Sequence, residues 1–502
     1  MQSVLVSSTR RRFFQTGILI VSLVSAVALM VTCGGTPTPP QMNNAMGTVN
    51  VSISDPPSCS GKSVGYTHVF ITVRSVQAHI SGTADSNTPG WQELAPQLAT
   101  QPMQIDLFST AQTNCVLAQL GSAELPVGNY QQIRLVLLSN TPSAGSALPT
   151  NNACAGNGFN CVVLNDGTGT IHELTLSSQD ETGLKIPPGQ ILGGPIQVSA
   201  GQSVDLNIDF NACFSIVPQG NGRYRLKPTL TAGQVSPNNS GISGQIVDSL
   251  TKAPISGPVL VAIETTDNTG TDHILMEASA DANGNFRFCP LPTGTFDIVA
   301  VALGPNNLPY NATAVVGVPN GQSLGLIPLV AETGASGPAV LQGFVTATSG
   351  TAPAQIDAAM AALQTISVPG GTTRQLSIPL ETAPATSTTP LQASTNPLAV
   401  ASNTACPAGS PANANCAQYT LVVPASNPSV GVFSSSGFTY SAPAAGDVLF
   451  GVDAISTRPG SGGAFICTPD EHMTSMDMNG QPLKVTPGTI TNVAELDFSV
   501  CM

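Results

Sequence analysis

Charge is scarce in this chain. Only 9% of its 502 residues are Asp, Glu, Lys or Arg, only 5% are aromatic, and there are one Trp and five His. Fifteen Lys and Arg against 28 Asp and Glu leave a formal charge of −13, which argues against nucleic acid or an anionic membrane surface as a partner. No HExxH, Walker A or Rossmann fingerprint occurs, nor any CxxC pair, so metalloprotease, nucleotide and redox signatures are missing. Gly460-Ser461-Gly462-Gly463 lacks the residue between each Gly and the Ser that a nucleophile elbow requires. The scarcity of charge does not mean disorder, because 41% of the residues are hydrophobic. With 49 Gly and 41 Pro, the composition fits short strands joined by turns. Length points to about three domains of 100 to 200 residues. The fold class expected is all-β and multi-domain, with β-sandwiches in series.

What is present begins with the leader. Arg10, Arg11 and Arg12 precede an apolar run from Gly17 to Val31, the size of a signal-peptide core and shorter than the roughly 20 residues of a spanning helix. Met30-Val31-Thr32-Cys33 resembles a bacterial lipoprotein box, with Met30 and Thr32 where Leu and Gly or Ala are usual. The resemblance implies cleavage before Cys33 and acylation of its thiol, with residues 1–32 as signal peptide and 33–46 as a flexible tether rich in Gly, Pro and Thr. Cleavage after Ala26-Val27-Ala28 and retention as an uncleaved anchor are the alternatives. Thr9 to Phe14 also resembles a twin-arginine export signal, and the export route stays open. Losing the leader takes the formal charge from −13 to −16.

Setting Cys33 aside leaves ten of the eleven cysteines, an even number suited to an oxidising compartment. Cys154 with Cys161 and Cys406 with Cys416 are expected to close short loops, and Cys467 with Cys501 to tie down the last strand. Cys59, Cys115 and Cys213 remain in the first unit and Cys289 in the second. Parity therefore requires one bridge between units. We expect Cys213 with Cys289 and Cys59 with Cys115, although sequence does not fix connectivity.

Residues 47–235 form the first unit. Val49, Val51 and Ile53 alternate with polar residues, as do Val204 to Phe210, the period of a half-buried strand. Strands are also expected at His68–Val73, Met103–Leu107 and Ile133–Leu137, and a short helix around Ala111–Gly121. The opening Gly47-Thr48-Val49-Asn50-Val51-Ser52-Ile53-Ser54-Asp55-Pro56, the turn Leu125-Pro126-Val127-Gly128-Asn129-Tyr130 and the late Asp205-Leu206-Asn207-Ile208-Asp209-Phe210 resemble the envelope family named only as domain of unknown function 4382. The resemblance implies an extracytoplasmic β-sandwich without catalytic residues. In residues 241–335, Gly244-Gln245-Ile246-Val247-Asp248, Asn283-Gly284-Asn285-Phe286-Arg287-Phe288 and Leu291-Pro292-Thr293-Gly294-Thr295-Phe296 resemble a carboxypeptidase regulatory-like, transthyretin-type domain, which implies a spacer or binding sandwich. Asn283-Gly284 suits a hairpin turn. Residues 338–502 resemble no family. They carry expected strands at Val340–Thr346, Gln375–Leu380, Gln418–Pro424, Asp447–Ile455 and Ala494–Val500. Ile356 to Ile366 leans to strand or irregular structure, and Thr382 to Thr404 to a long loop.

Candidate sites are few. Asp205-x-Asn207-x-Asp209 begins like an EF-hand loop but lacks its Gly and Glu, so a polar strand face is preferred. Asp267 to Asp272 reads as a turn that needs no ion. Asp470-Glu471-His472-Met473 with Met476, Asp477 and Met478 is the densest ligand cluster, yet one His with scattered Met reads as a solvated loop. His68 is expected to be structural. Tyr66, Trp91, Tyr130 and Tyr224 could line a sugar platform, but core or rim packing is the simpler expectation. No catalytic, cofactor or metal site is expected. The expected role is that of a lipoprotein anchored in the cell envelope, acting as a binding, adhesion or scaffolding module toward envelope glycans or proteins. A carbohydrate binder and a hydrolase in the last unit are the alternatives.

Overall fold

The computed structural model describes residues 45–501 apart from 55–65, 85–86, 111–116, 177–182, 187, 211, 220–222, 227–229, 236–240, 268, 290, 293, 306–307, 333–337, 371, 384–390, 395, 405 and 458–466. The leader, Cys33 and the tether through residue 44, Cys59, Cys115 and the Gly460–Gly463 stretch lie outside them, while Met46, expected in the tether, opens the first strand. Strands dominate throughout, as the composition predicts.

In the first module Met46–Ser54 lies parallel to Ser203–Phe210 and antiparallel to Ala118–Pro126 in a five-stranded sheet. A second, larger sheet is built around Tyr66–His79. Alternation buries Val49, Val51 and Ile53 against Val69, Ile71, Val73 and Ile208 in one core between the sheets. The helix expected near Ala111–Gly121 is corrected in part. A four-residue helix spans Leu107–Thr110, residues 111–116 are outside the described set, and Ala118–Pro126 is a strand. Its pairing with Met46–Ser54 overrides a helix-compatible local composition, because a register-matched sheet edge outweighs propensities of a few tenths of a kcal/mol per residue.

The second module packs a three-stranded sheet, centred on Ile242–Asp248, against a sheet containing Asp272–Ser279, Val259–Thr266, Thr295–Ala302 and Thr313–Pro319. Phe286 and Phe288 both point into this core. The Asn283-Gly284 turn is tight: the Gly284 amide donates to the Asp281 carbonyl at 2.8 Å, and Gly284 has φ +79°. It is not a hairpin, however. Asn285–Phe288 pairs with Ile242–Asp248, whereas Asp272–Ser279 pairs with Val259–Thr266, so the turn is a corner between sheets.

The expected boundary between 335 and 338 is crossed by structure. Thr313–Pro319 pairs in parallel with Ser429–Val432 of the third module, extending the second module's sheet to six strands. That sheet is buried on both faces. Val259, Val261 and Ile263 face the second core, while Leu260, Val299, Val301 and Ala314 join the third module's core with Leu341, Val345, Tyr419 and Phe450. The third module's own sheets are built on Ala339–Ser349 with Asn415–Val423 and on Ile356–Val368 with Val448–Thr457. Ile356–Val368 is a 13-residue strand. The loop expected at Thr382–Thr404 instead carries the short strands Glu381–Ala383, Gln392–Ser394 and Leu398–Val400, each of which pairs; small Ala, Ser and Thr side chains hide the strand alternation there.

Three disulfides join Cys154 to Cys161, Cys406 to Cys416 and Cys467 to Cys501. Cys289 is also disulfide-bonded. The six other described cysteine side chains pair among themselves, so its partner is outside the described side chains, and the Cys213–Cys289 and Cys59–Cys115 pairings fall there too. Bonds of this kind persist in oxidising compartments, which makes the folded chain extracytoplasmic.

Candidate functional site

Titratable groups gather where the Val259–Thr266 and Asp272–Ser279 strands meet the third module. Ser377 anchors the contact. Its hydroxyl donates to the Asp272 carbonyl at 2.6 Å and its amide to Glu264 Oε2 at 3.3 Å, while the Gln375 amide donates to the Gly270 carbonyl at 3.0 Å. Arg374, on Thr372–Ile378, reaches across the seam. Its Nη2 donates to Asp272 Oδ1 at 2.6 Å and also to Asp297 Oδ2 and Thr266 Oγ1. Glu264, Asp272 and Asp297 are all buried; Asp272 and Asp297 share the one guanidinium, and Glu264 accepts from the Ser377 amide beside them. Burial first, then the neighbouring Asp272 and Asp297, push Glu264 well above the ordinary carboxylate range. Burial and Asp297 likewise push Asp272 up to about 7. This is a structural lock: its polar atoms mostly face each other.

A second group lies along the same seam. His273 on Asp272–Ser279, Asp453 on Val448–Thr457 and Glu471 on Glu471–Thr474 bring one imidazole nitrogen and two carboxylate oxygens within 4.8 Å of one another. The register explains the meeting of the two acids. Asp453 lies opposite Met473 and Glu471 opposite Ile455, which makes them diagonal neighbours on one face. Phe450, Val452 and Ala454 point the other way, into the core. Asp453 is only 3% exposed and its Oδ1 has no hydrogen-bond partner. Burial, then Glu471, push its carboxyl up to about 8. Asp267 Oδ2 stands 3.4 Å from His273 Nε2. Burial opposes the Asp267 charge, but hydrogen bonds from Thr271 and Thr269 prevail and hold it down to about 2.

The residues singled out from sequence fall as follows. Asp205, Asn207 and Asp209 make a side-chain ladder with the parallel strand. Asn50 Nδ2 donates to Asp205 Oδ1 at 2.8 Å, Ser52 Oγ to Asn207 Oδ1 at 3.0 Å, and Ser54 Oγ to Asp209 Oδ1 at 3.3 Å. Asp267 forms a self-satisfied turn with Thr269 and Thr271. His472 is turned away from Glu471 by strand alternation and packs edge-on against Phe498, ring centroids 4.7 Å apart. His68 pairs with Asp106 at 2.7 Å on the surface. The aromatics pack rather than form a platform. Tyr66 meets Tyr224 edge-on at 5.6 Å, Tyr130 donates to the Pro126 carbonyl at 3.0 Å, and Arg134 lies 4.4 Å over Trp91. What the sequence reading missed is His273, whose fellow ligand candidates are 180 or more positions away and in a different module. One signal was available: an unbroken apolar run such as Val259-Leu260-Val261-Ala262-Ile263 marks a sheet covered on both faces, hence a partner layer beside His273.

Among solved structures, the chain is similar to the Bacillus anthracis TIE protein, at 10% identity over 90% of this chain and 50% of that one, with a TM-score of 0.15. It is also similar to a Streptococcal ancillary pilin, at 11% identity over 58% and 64% of the two chains and a TM-score of 0.14. The shaft pilin SpaA from Lactobacillus rhamnosus GG matches at 9% identity over 58% and 98%, with a TM-score of 0.17. This chain thus spans about half the length of the Bacillus anthracis protein. No curated protein matches it. Residues 46–228 match the family described as Domain of unknown function (DUF4382), so the first sandwich is a domain of that family.

Proposed function

We propose that this chain is a cell-envelope lipoprotein, tethered through Cys33, that serves as a non-catalytic binding, adhesion or scaffolding module. The observation that carries the scaffolding reading is the joint between the second and third modules. They share one six-stranded sheet and one apolar core, with Arg374 bonded across the seam. A sheet and a core common to both modules hold them together as one piece, as a spacer requires. The transthyretin-type resemblance of residues 241–335 supports the same role. Contact surface is available in the third module, where Met473, Met476, Met478 and Ile490 stay exposed; unbranched thioethers adapt to varied partners.

The test is labelling with an alkyne fatty acid in cells producing the full chain or its Cys33→Ser variant, then crosslinking and pull-down from the envelope. The native chain is expected to carry label and to recover an envelope protein or glycan, and the variant to carry none. An unlabelled native chain would overturn the anchor. A labelled chain that recovers nothing would overturn the binding role.

A further inference from the structure

The seam holds an arrangement that the structural lock does not use. Asp453 is a carboxylate 97% withdrawn from solvent, with one oxygen left without a donor. Ionised without a partner, a carboxylate buried this deeply is costly, so it is held protonated or given a cation. The only described groups that approach it as a set are His273 and Glu471, with all three ligand atoms inside 4.8 Å. When both are ionised, Asp453 and Glu471 repel across the strand diagonal. A cation between them would convert the repulsion to attraction, and two carboxylates match the charge of a divalent ion.

We propose that His273, Asp453 and Glu471 form a binding site for a divalent first-row transition ion of the zinc class, bridging the second and third modules. The ligand chemistry selects the class. Calcium and magnesium seek six or more oxygens, which this site does not offer, whereas an imidazole with two carboxylates suits zinc and its neighbours. A tetrahedral shell with arms of about 2.1 Å places ligand atoms roughly 3.4 Å apart, so modest side-chain rotation closes the present spacing. Asp453 is buried, His273 half-buried and Glu471 exposed. The site is therefore lined on its inner side and open on its outer side, which gives a route of entry and room for a fourth, water ligand. Asp267, 3.4 Å from His273 Nε2, stands where an outer carboxylate steadies a ligating imidazole. Two of the three ligands come from one module and the third from the other, so the ion would clip the joint shut. The site stands whether or not the chain is a scaffold.

The test uses the full mature chain, free of any histidine tag and stripped with chelator, in equilibrium dialysis and calorimetric titration with Zn²⁺ alone, and with Ca²⁺ as the contrasting ion. One Zn²⁺ per chain is expected to bind, raising the melting temperature, with Ca²⁺ bound at least tenfold more weakly. Glu471→Gln changes an exposed side chain and leaves the fold intact; it is expected to weaken Zn²⁺ binding at least tenfold, as is His273→Gln. Co²⁺ loaded into the native chain should give the visible bands of a tetrahedral site, and these should vanish in both variants. The absence of stoichiometric Zn²⁺ binding would overturn the proposal. So would Zn²⁺ binding that both variants retain at native strength.

Discussion

Arg374 carries a burden out of proportion to one side chain. It is the guanidinium that Asp272 and Asp297 both contact, and Glu264 lies in the same buried group. Taking away one partner of a buried ion pair leaves an unmatched charge and costs about 3–5 kcal/mol, more than the pair contributes over an apolar replacement. Arg374→Met is expected to lower stability by about that amount near neutral pH, seen as a lower denaturant midpoint with an unchanged slope. Changing Asp272 and Arg374 together to apolar residues should cost less than Arg374→Met alone, since no carboxylate at that position is then stranded. The sequence shows that Arg374 is one of only 15 cations; it does not show which acids surround it. Those acids are about 80 to 110 residues away, and only the docking of Thr372–Ile378 on the second module brings them together.

Among elements, the strand Val259–Thr266 shows how far local pattern reads. Its run of apolar residues is legible as a strand, and its neighbour Thr295–Ala302 is equally apolar from Ile298 to Ala302. Alternation assigns Val261 and Ile263 to one core and Leu260 to the other. Leu260→Ala removes apolar surface from the shared core and is expected to cost about 2–5 kcal/mol. In calorimetry the second and third modules should still unfold in one shared transition, at lower temperature, because neither retains a complete core alone. The elements misread from sequence fail for the same kind of reason. Ala118–Pro126 and the short strands between Glu381 and Val400 have little intrinsic preference, and acquire their conformation from the strands they pair with.

For the whole molecule, buried carboxyls set the response to pH. Asp209 is pushed up to about 7 by burial, partly offset by its bond from Ser54, and burial also holds Glu264 well above the ordinary carboxylate range. In the unfolded chain both titrate near 4, so above that pH the folded state holds more protons, and their stabilising contribution is lost as pH rises through 7 and beyond. Asp248 works the other way. The Thr251 amide and hydroxyl, with Tyr310, outweigh its desolvation and hold it below the ordinary range, so its contribution is lost only as pH falls under about 4. The melting temperature, measured in chelator, is expected to be higher at pH 5 than at pH 8. The sequence by itself determined the β class, the alternating strands of the first sandwich and its family resemblance, because each depends on residue type and near spacing, and it offered the three disulfide pairs without fixing their connectivity. The tertiary structure alone decided that the second and third modules share a core, and that His273 stands beside Asp453 and Glu471. Those facts depend on how two sheets stack, and stacking joins residues that no local period relates.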